Sequence, residues 1–432
     1  MTRRTFDRRT FLALTLAGCA DPSGPALPVA TPPPPPPLPQ PQPAPPVAPP
    51  PPPAANMSFE AWLQSYRAKA LGEGLPAWLL DRELAGLSPN PQVASLDRKQ
   101  PELSKPVGDY IRGVISDERV AQGRAFRSSL GYLGAMEQRY GVPRDIVLAV
   151  WAMESAFGKI QGEMDVLRSL ATLAHDGRRR DWAEGELSAA LRILERAEAP
   201  RERLKGSWAG AMGQTQFMPS VFLSTAVDGD GDGRRDIWGS TRDALTSTAN
   251  YLAKHGWTPG VGWAEEVILP AGFDYSQAEG PREVPSWWEA QGVRRADGRA
   301  WTGPDAAAKA GLLLPSGWRG PAFLALPNHF TIRRYNNSTS YALGIGLLAD
   351  RFSGEGPLVT PWPYEVGLTL ADRLSAQRSL ARLGFDPGPA DGVVGTNTRA
   401  QLRAWQKARG LPADGYLSVE LVRRLASEAG AL

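Results

Sequence analysis

Cysteine is nearly absent from this 432-residue chain. Cys19 stands alone, so no intramolecular disulfide and no cysteine-based zinc site can form. Histidine is almost as scarce, and His175, His255 and His329 lie too far apart in sequence to show a metal-ligand spacing. An excess of one charge is also missing. The formal net charge is +3, and Arg3, Arg4, Arg8 and Arg9 against Asp7 place that surplus within residues 1–18. The remainder is close to neutral, which removes the electrostatic reason to expect a nucleic-acid partner. With 42% hydrophobic and 22% charged residues, the chain is otherwise ordinary globular material, enough for two or three domains.

The N-terminus carries an address. Residues 1–10 are basic, and the apolar stretch Phe11–Leu16 is far shorter than the roughly 20 residues of a membrane-spanning helix. Residues 1–18 therefore read as a signal peptide. Leu16-Ala17-Gly18-Cys19 resembles the lipobox of bacterial lipoproteins, which implies lipidation at Cys19; the alternative is a free cysteine at a cleaved site. Arg8-Arg9-Thr10-Phe11-Leu12 also resembles a twin-arginine export signal. Ala20, rather than aspartate, follows Cys19, which favours the outer membrane. From Pro22 to Pro53 the chain holds 19 of its 41 prolines. Residues 19–56 thus form a linker without a core, inclined to polyproline II and reaching roughly 100 Å.

Two folded regions follow. Residues 57–356 carry helical patterns at Phe59–Leu71, Asp117–Tyr140, Arg144–Phe157, Val166–Ala174, Trp182–Arg196, Thr241–His255 and Tyr341–Phe352. Short strands are predicted near Glu266–Leu269 and His329–Ile332. The fold class is mainly α, in an α+β arrangement. After Pro361-Trp362-Pro363, residues 366–430 hold three helical patterns, Leu370–Leu383, Asn397–Arg409 and Ser418–Ser427, separated by glycine turns. Three short helices pack one modest core and suit a binding module better than a second enzyme.

One residue is out of place. Pro143 near the first turn and acidic Asp145 open a helix that Gly158 is expected to stop. Val147, Val150, Trp151 and Phe157 recur at helical spacing around Glu154, which puts that carboxyl on the apolar face. A carboxyl there ionises at a cost, so its pKa rises. The protonated form near neutral pH is what protonation of a glycosidic leaving oxygen requires. A structural pairing explains such a glutamate equally well on this argument alone.

The motifs around it carry a resemblance. Gly141-Val142-Pro143 leading to Ala152-Met153-Glu154-Ser155-Ala156-Phe157-Gly158, then Ser207–Ser220, Ala249-Asn250-Tyr251-Leu252 and Arg334-Tyr335-Asn336-Asn337-Ser338 resemble, in order, the membrane-bound lytic transglycosylase B family. The resemblance implies a lysozyme-like fold and non-hydrolytic cleavage of the MurNAc-β-1,4-GlcNAc bond of peptidoglycan, with no cofactor in the chemistry. Glu154 would be the only catalytic residue, because the C6 hydroxyl of the muramic acid serves as nucleophile. Ser207 and Gln216 would contact substrate near the scissile bond. Tyr251, Tyr335, Asn336 and Tyr341 would line the groove, with Tyr110 joining them on a weaker local match. Core packing is the other reading of each tyrosine.

Asp228-Gly229-Asp230-Gly231-Asp232-Gly233 has carboxylates at positions 1, 3 and 5 and glycine at 6, the spacing that turns oxygens around one hard cation in EF-hand loops. Gly239 stands where the usual glutamate would be. The resemblance supplies Asp243 in its place, gives Arg234 a backbone-carbonyl role, and implies a structural Ca2+. An ion-free acidic turn is the alternative. Ala390–Gly395, Thr398-Arg399-Ala400 and Ala404-Trp405-Gln406 resemble the peptidoglycan-binding domain type 1 family, which implies anchoring to the wall. Two rival functions remain at this stage: a hydrolytic muramidase on the same fold, and a non-catalytic peptidoglycan-tethering lipoprotein.

Overall fold

A computed structural model describes residues 57–99 and 105–430. The signal peptide, the proline-rich linker and Cys19 lie outside the described residues. Helices dominate from Phe59 to Ser353 and share one large apolar core. At its centre runs Arg144–Ser155, eight of whose twelve residues are buried. It packs between Asp117–Ser129, Thr241–Lys254 and Thr339–Ser353. A short antiparallel pair, β1 (Met164–Asp165) with β2 (Lys205–Gly206), brings together segments separated by two helices.

A five-stranded antiparallel sheet interrupts the helical order. Its strands are β3 (Ala264–Ile268), β4 (Arg282–Glu283), β5 (Arg294–Arg295), β6 (Ala310–Leu313) and β7 (Ala322–Ala325), in spatial order β4-β6-β7-β3-β5. Side chains alternate across a strand, and here the alternation separates two cores. Phe323 and Ala325 of β7 join the helical core, whereas Ala322 and Leu324 join a second cluster built around Trp288 and Val267. With both faces covered, β6 and β7 read as continuous apolar runs, which carry no strand periodicity. For that reason only β3 is foreshadowed by the sequence.

Two helical expectations change. Asp117–Tyr140 is two helices, Asp117–Ser129 and Leu133–Tyr140, because Leu130 leaves helical backbone ahead of Gly131. Poor helix formers, Ser128, Ser129 and Gly131, cluster at the break. The predicted strand His329–Ile332 lies inside the helix Pro327–Tyr335. Its β-branched and aromatic residues suggested a strand, but Pro327 at the first helical position starts a turn. The Asn328 carboxamide then pins that turn to the backbone of Thr258 and Val261.

The C-terminal module is three helices, Leu370–Arg382, Thr396–Ala408 and Val419–Glu428, around Leu380, Leu402, Trp405 and Leu425. It docks against the sheet region. Arg399 and Arg403 grip the Glu279 carboxylate at 2.8 and 3.2 Å, and Asp414 accepts the Trp318 backbone N–H at 3.0 Å.

Candidate active site

Glu154 sits in the last turn of its helix, where the chain reverses abruptly. Ala156, Phe157 and Gly158 take φ of 48°, 59° and 80°. The helix thus ends at Ser155 with Ala156 as its cap, ahead of the glycine expected to stop it, and Phe157 is not a helical neighbour of Glu154. Left-handed backbone at a residue other than glycine costs roughly 1 kcal/mol or more, so the surroundings must enforce it. Phe157 is held in a ring cluster with Trp151, Phe126 and Phe352. The Ser155 hydroxyl donates to the Gln214 carbonyl at 2.8 Å and accepts the Gly158 N–H at 3.0 Å. Gly158 is obligatory twice over, since a Cβ there would lie 2.6 Å from Gln214 Oε1.

This reversal leaves the Glu154 side chain half-buried at the wall of a cavity of about 660 Å³. Burial pushes its carboxyl up to about 7, against a smaller opposing effect of the hydrogen bond from Tyr341. The Tyr341 hydroxyl donates to Glu154 Oε1 at 2.5 Å. Tyr341 is delivered by the first turn of Thr339–Ser353, which Ser338 caps by accepting the Tyr341 N–H. Burial and the neighbouring carboxyl hold the Tyr341 phenol well above its ordinary range. Among the described residues lining the cavity Glu154 is the sole acid.

The other expected residues divide into two groups. Tyr110, Asn336 and Tyr341 line the cavity with Glu154. Ser207, Gln216, Tyr251 and Tyr335 stand outside that lining and do internal work. The Ser207 hydroxyl accepts the Ala209 and Ala211 N–H groups at 3.3 and 3.1 Å. Gln216, itself left-handed at φ 51°, donates to the carbonyls of Gln161 and Gly213. Tyr251 and Tyr335 pack edge to face at 4.9 Å and donate to the carbonyls of Arg334 and Thr215, each at 2.6 Å. The sequence missed the opposite wall of the cavity. Leu368, Arg373, Val393, Arg399 and Tyr416 of the C-terminal module complete it, and no local motif marks a surface made by long-range docking.

A model of the transglycosylase SLT domain matches residues 58–350. The chain belongs to the transglycosylase SLT family. A peptidoglycan binding domain model matches residues 369–425. The chain is similar to SltB3 of Pseudomonas aeruginosa, solved with NAG-anhNAM-pentapeptide: 48% identity over 86% of this chain and 100% of that one, TM-score 0.82. It is similar to the Escherichia coli lytic transglycosylase Slt35 in complex with calcium: 30% identity, 67% and 92% coverage, TM-score 0.59. It is also 34% identical to the membrane-bound lytic murein transglycosylase B of Escherichia coli over 55% of this chain. There the match spans 64% of the relative's length. The mainly helical, lysozyme-like reading of the sequence is thereby borne out.

The acidic loop lies elsewhere in the family's domain. Asp228, Asp230, Asp232 and Asp243 each offer a carboxylate oxygen, all within 4.8 Å of one another. Asp243 is fully buried and shapes the loop by accepting the N–H groups of Gly229, Asp230 and Asp236. Asp232 accepts the Arg234 N–H at 2.8 Å, and the Arg234 side chain is exposed. Four carboxylates so close repel one another strongly, and a cation relieves that repulsion. The donor set is all oxygen and fits a hard divalent ion.

Proposed function

We propose that this chain is a lytic murein transglycosylase that cleaves the MurNAc-β-1,4-GlcNAc bond without water. The observation that carries the reading is the carboxyl of Glu154, held by burial near pKa 7 in a cavity with no second acid among the described residues that line it. Glu154 gives its proton to the departing glycosidic oxygen. The C6 hydroxyl of the muramic acid attacks C1, and its proton returns to Glu154. The bonds balance as an internal transfer that leaves a 1,6-anhydro end. Tyr341 orients the carboxyl and limits how far its pKa rises. Tyr110 and Asn336 face the sugars, while Ser207, Gln216, Tyr251 and Tyr335 shape the groove from behind. A two-carboxylate hydrolase would need a second acid at the bond. The anhydro-muramic ligand of the Pseudomonas relative supports the same choice.

In this reading residues 57–356 form the catalytic domain and residues 366–430 a peptidoglycan-binding domain. Residues 1–18 are the signal peptide, and 19–56 a proline-rich tether from a lipidated Cys19 to the outer membrane, so the enzyme works in the periplasm. No described helix is long and apolar enough to cross a membrane. Asp228, Asp230, Asp232 and Asp243, with the Arg234 carbonyl, hold a Ca2+ that braces the fold and takes no part in the chemistry. The calcium-bound Escherichia coli relative supports that assignment.

Mass spectrometry of fragments released from purified sacculi tests the function. Products one water lighter than hydrolysis products, absent with Glu154→Gln, are expected. Reducing-end products make it a hydrolase. Intact sacculi that still bind the protein make it a tether.

A further inference from the structure

Among the described residues, the wall of the cavity around Glu154 has one acid and three cations: Lys105, Arg373 and Arg399. Two of the three come from the C-terminal module. Arg373 is anchored, its Nε and one terminal nitrogen donating to the carbonyls of Gly392 and Leu368, both at 2.7 Å. It makes no salt bridge to a carboxylate among the described residues, although the charge of its neighbour Asp372 is felt. Arg399 is tied to Glu279, but that single carboxylate also serves Arg403. Arg333, close by, is half-buried with its Nε lacking a partner, and burial followed by the nearness of Arg399 lowers its pKa. Several guanidinium groups are therefore gathered on this side, and Arg373 brings one of them to the cavity with fixed aim. Fixed guanidinium donors select a carboxylate more sharply than a mobile ammonium does.

We propose that Arg373, reinforced by Arg399, recognises a carboxylate of the peptide stem carried by the muramic acid, so that the C-terminal module sets stem specificity inside the catalytic cavity. The inference rests on the reading of Glu154 given above. N-acetylated sugars carry no charge, and the anions of a peptidoglycan strand are the carboxylates of its substituents. A cationic wall in the same cavity as Glu154 thus reads the stem and leaves the glycan to the tyrosines and Asn336.

The test uses the full mature chain and two matched substrates: short strands with tetrapeptide stems, and the same strands with stem carboxylates converted to primary amides. The native protein should favour the acid form by about tenfold in kcat/KM, carried by KM. Arg373→Gln should bring the ratio close to one, and Arg373→Lys should restore part of it. Equal losses on both substrates would make Arg373 a structural brace for Leu368 and Gly392. A native protein indifferent to amidation would overturn the proposal outright. Binding of both substrates to Glu154→Gln and to Glu154→Gln with Arg373→Gln gives the same ratio without turnover. Absent cleavage therefore counts against the role of Glu154, while the binding ratio still judges Arg373.

Discussion

Two acidic regions of this molecule use the same functional group in opposite ways. At Glu154 one carboxyl is alone and desolvated, and burial moves it up to about 7. Around Asp228 four carboxylates crowd within 4.8 Å at a largely open loop, and backbone N–H groups of Gly233 and Gly231 hold Asp228 below the usual carboxylate range. Isolation in low dielectric keeps a proton, whereas exposure to solvent with N–H donors keeps the charge on Asp228; Asp243, buried in the same cluster, is pushed up instead. The first arrangement serves proton transfer and the second serves a cation.

The comparison breaks most decisively at Glu154. Glu154→Gln should lower activity by a factor of about 10³ or more, since no other carboxyl stands among the described residues lining the cavity. Stability should move the other way. The folded carboxyl, at about 7, lies above its unfolded value, so its favourable contribution is complete below the unfolded pKa and is lost as pH rises through about 7. By roughly 1.4 kcal/mol per pH unit, Glu154→Gln should unfold about 3 kcal/mol less readily than the native protein at pH 8 and equally readily near pH 4. Denaturant titrations at the two pH values check both signs.

At the other pole the largest effect belongs to Asp243. It is fully buried and accepts three backbone N–H groups. Asp243→Ala leaves those donors unpaired and should cost about 3 kcal/mol even with calcium chelated. In the native protein, calcium at a hundred times its Kd should add about 2.7 kcal/mol, and a chelator should remove it. Thermal unfolding with and without chelator separates the two contributions. A chelator that leaves the unfolding temperature unchanged would refute the calcium assignment.

Tyr341→Phe gives a smaller and more diagnostic change. Its hydrogen bond opposes the rise in the Glu154 pKa. Losing it should move the alkaline limb of the activity profile above pH 7 while lowering the maximum about tenfold. A limb that stays in place would mean that Tyr341 only fills space.

How much of this was legible beforehand follows from range. The Glu154 helix and the three module helices announce themselves through periodicity, and the acidic loop through spacing, all within a dozen residues or so. The strands β6 and β7 do not, because burial on both faces erases alternation. The reversal at Ala156 and Phe157 is imposed by Phe126, Phe352 and Gln214 from distant segments. The direction of a tyrosine hydroxyl is no more local. Tyr251 and Tyr335 carry the same residue type as Tyr341, yet only Tyr341 reaches Glu154, because the other two meet the carbonyls of Arg334 and Thr215 first. Arg373 in the cavity wall depends on the docking of the module as a whole.

The smallest effect sharpens the comparison furthest. Asp232 is exposed and accepts one N–H, from Arg234, so Asp232→Asn removes charge with little loss of structure. With calcium chelated, the variant should be slightly more stable than the native protein, by roughly 0.5 kcal/mol, because one repulsive charge is gone. With calcium saturating the native protein the order should reverse, since a neutral oxygen binds a hard cation less tightly. Glu154→Gln is stabilising at high pH whatever the metal concentration, whereas Asp232→Asn should stabilise or destabilise according to calcium alone. Unfolding temperatures of both variants, with and without calcium at pH 8, place the two carboxyl environments on one plot. A crossing for Asp232→Asn and parallel lines for Glu154→Gln are what desolvation at one site and cation-bridged repulsion at the other require.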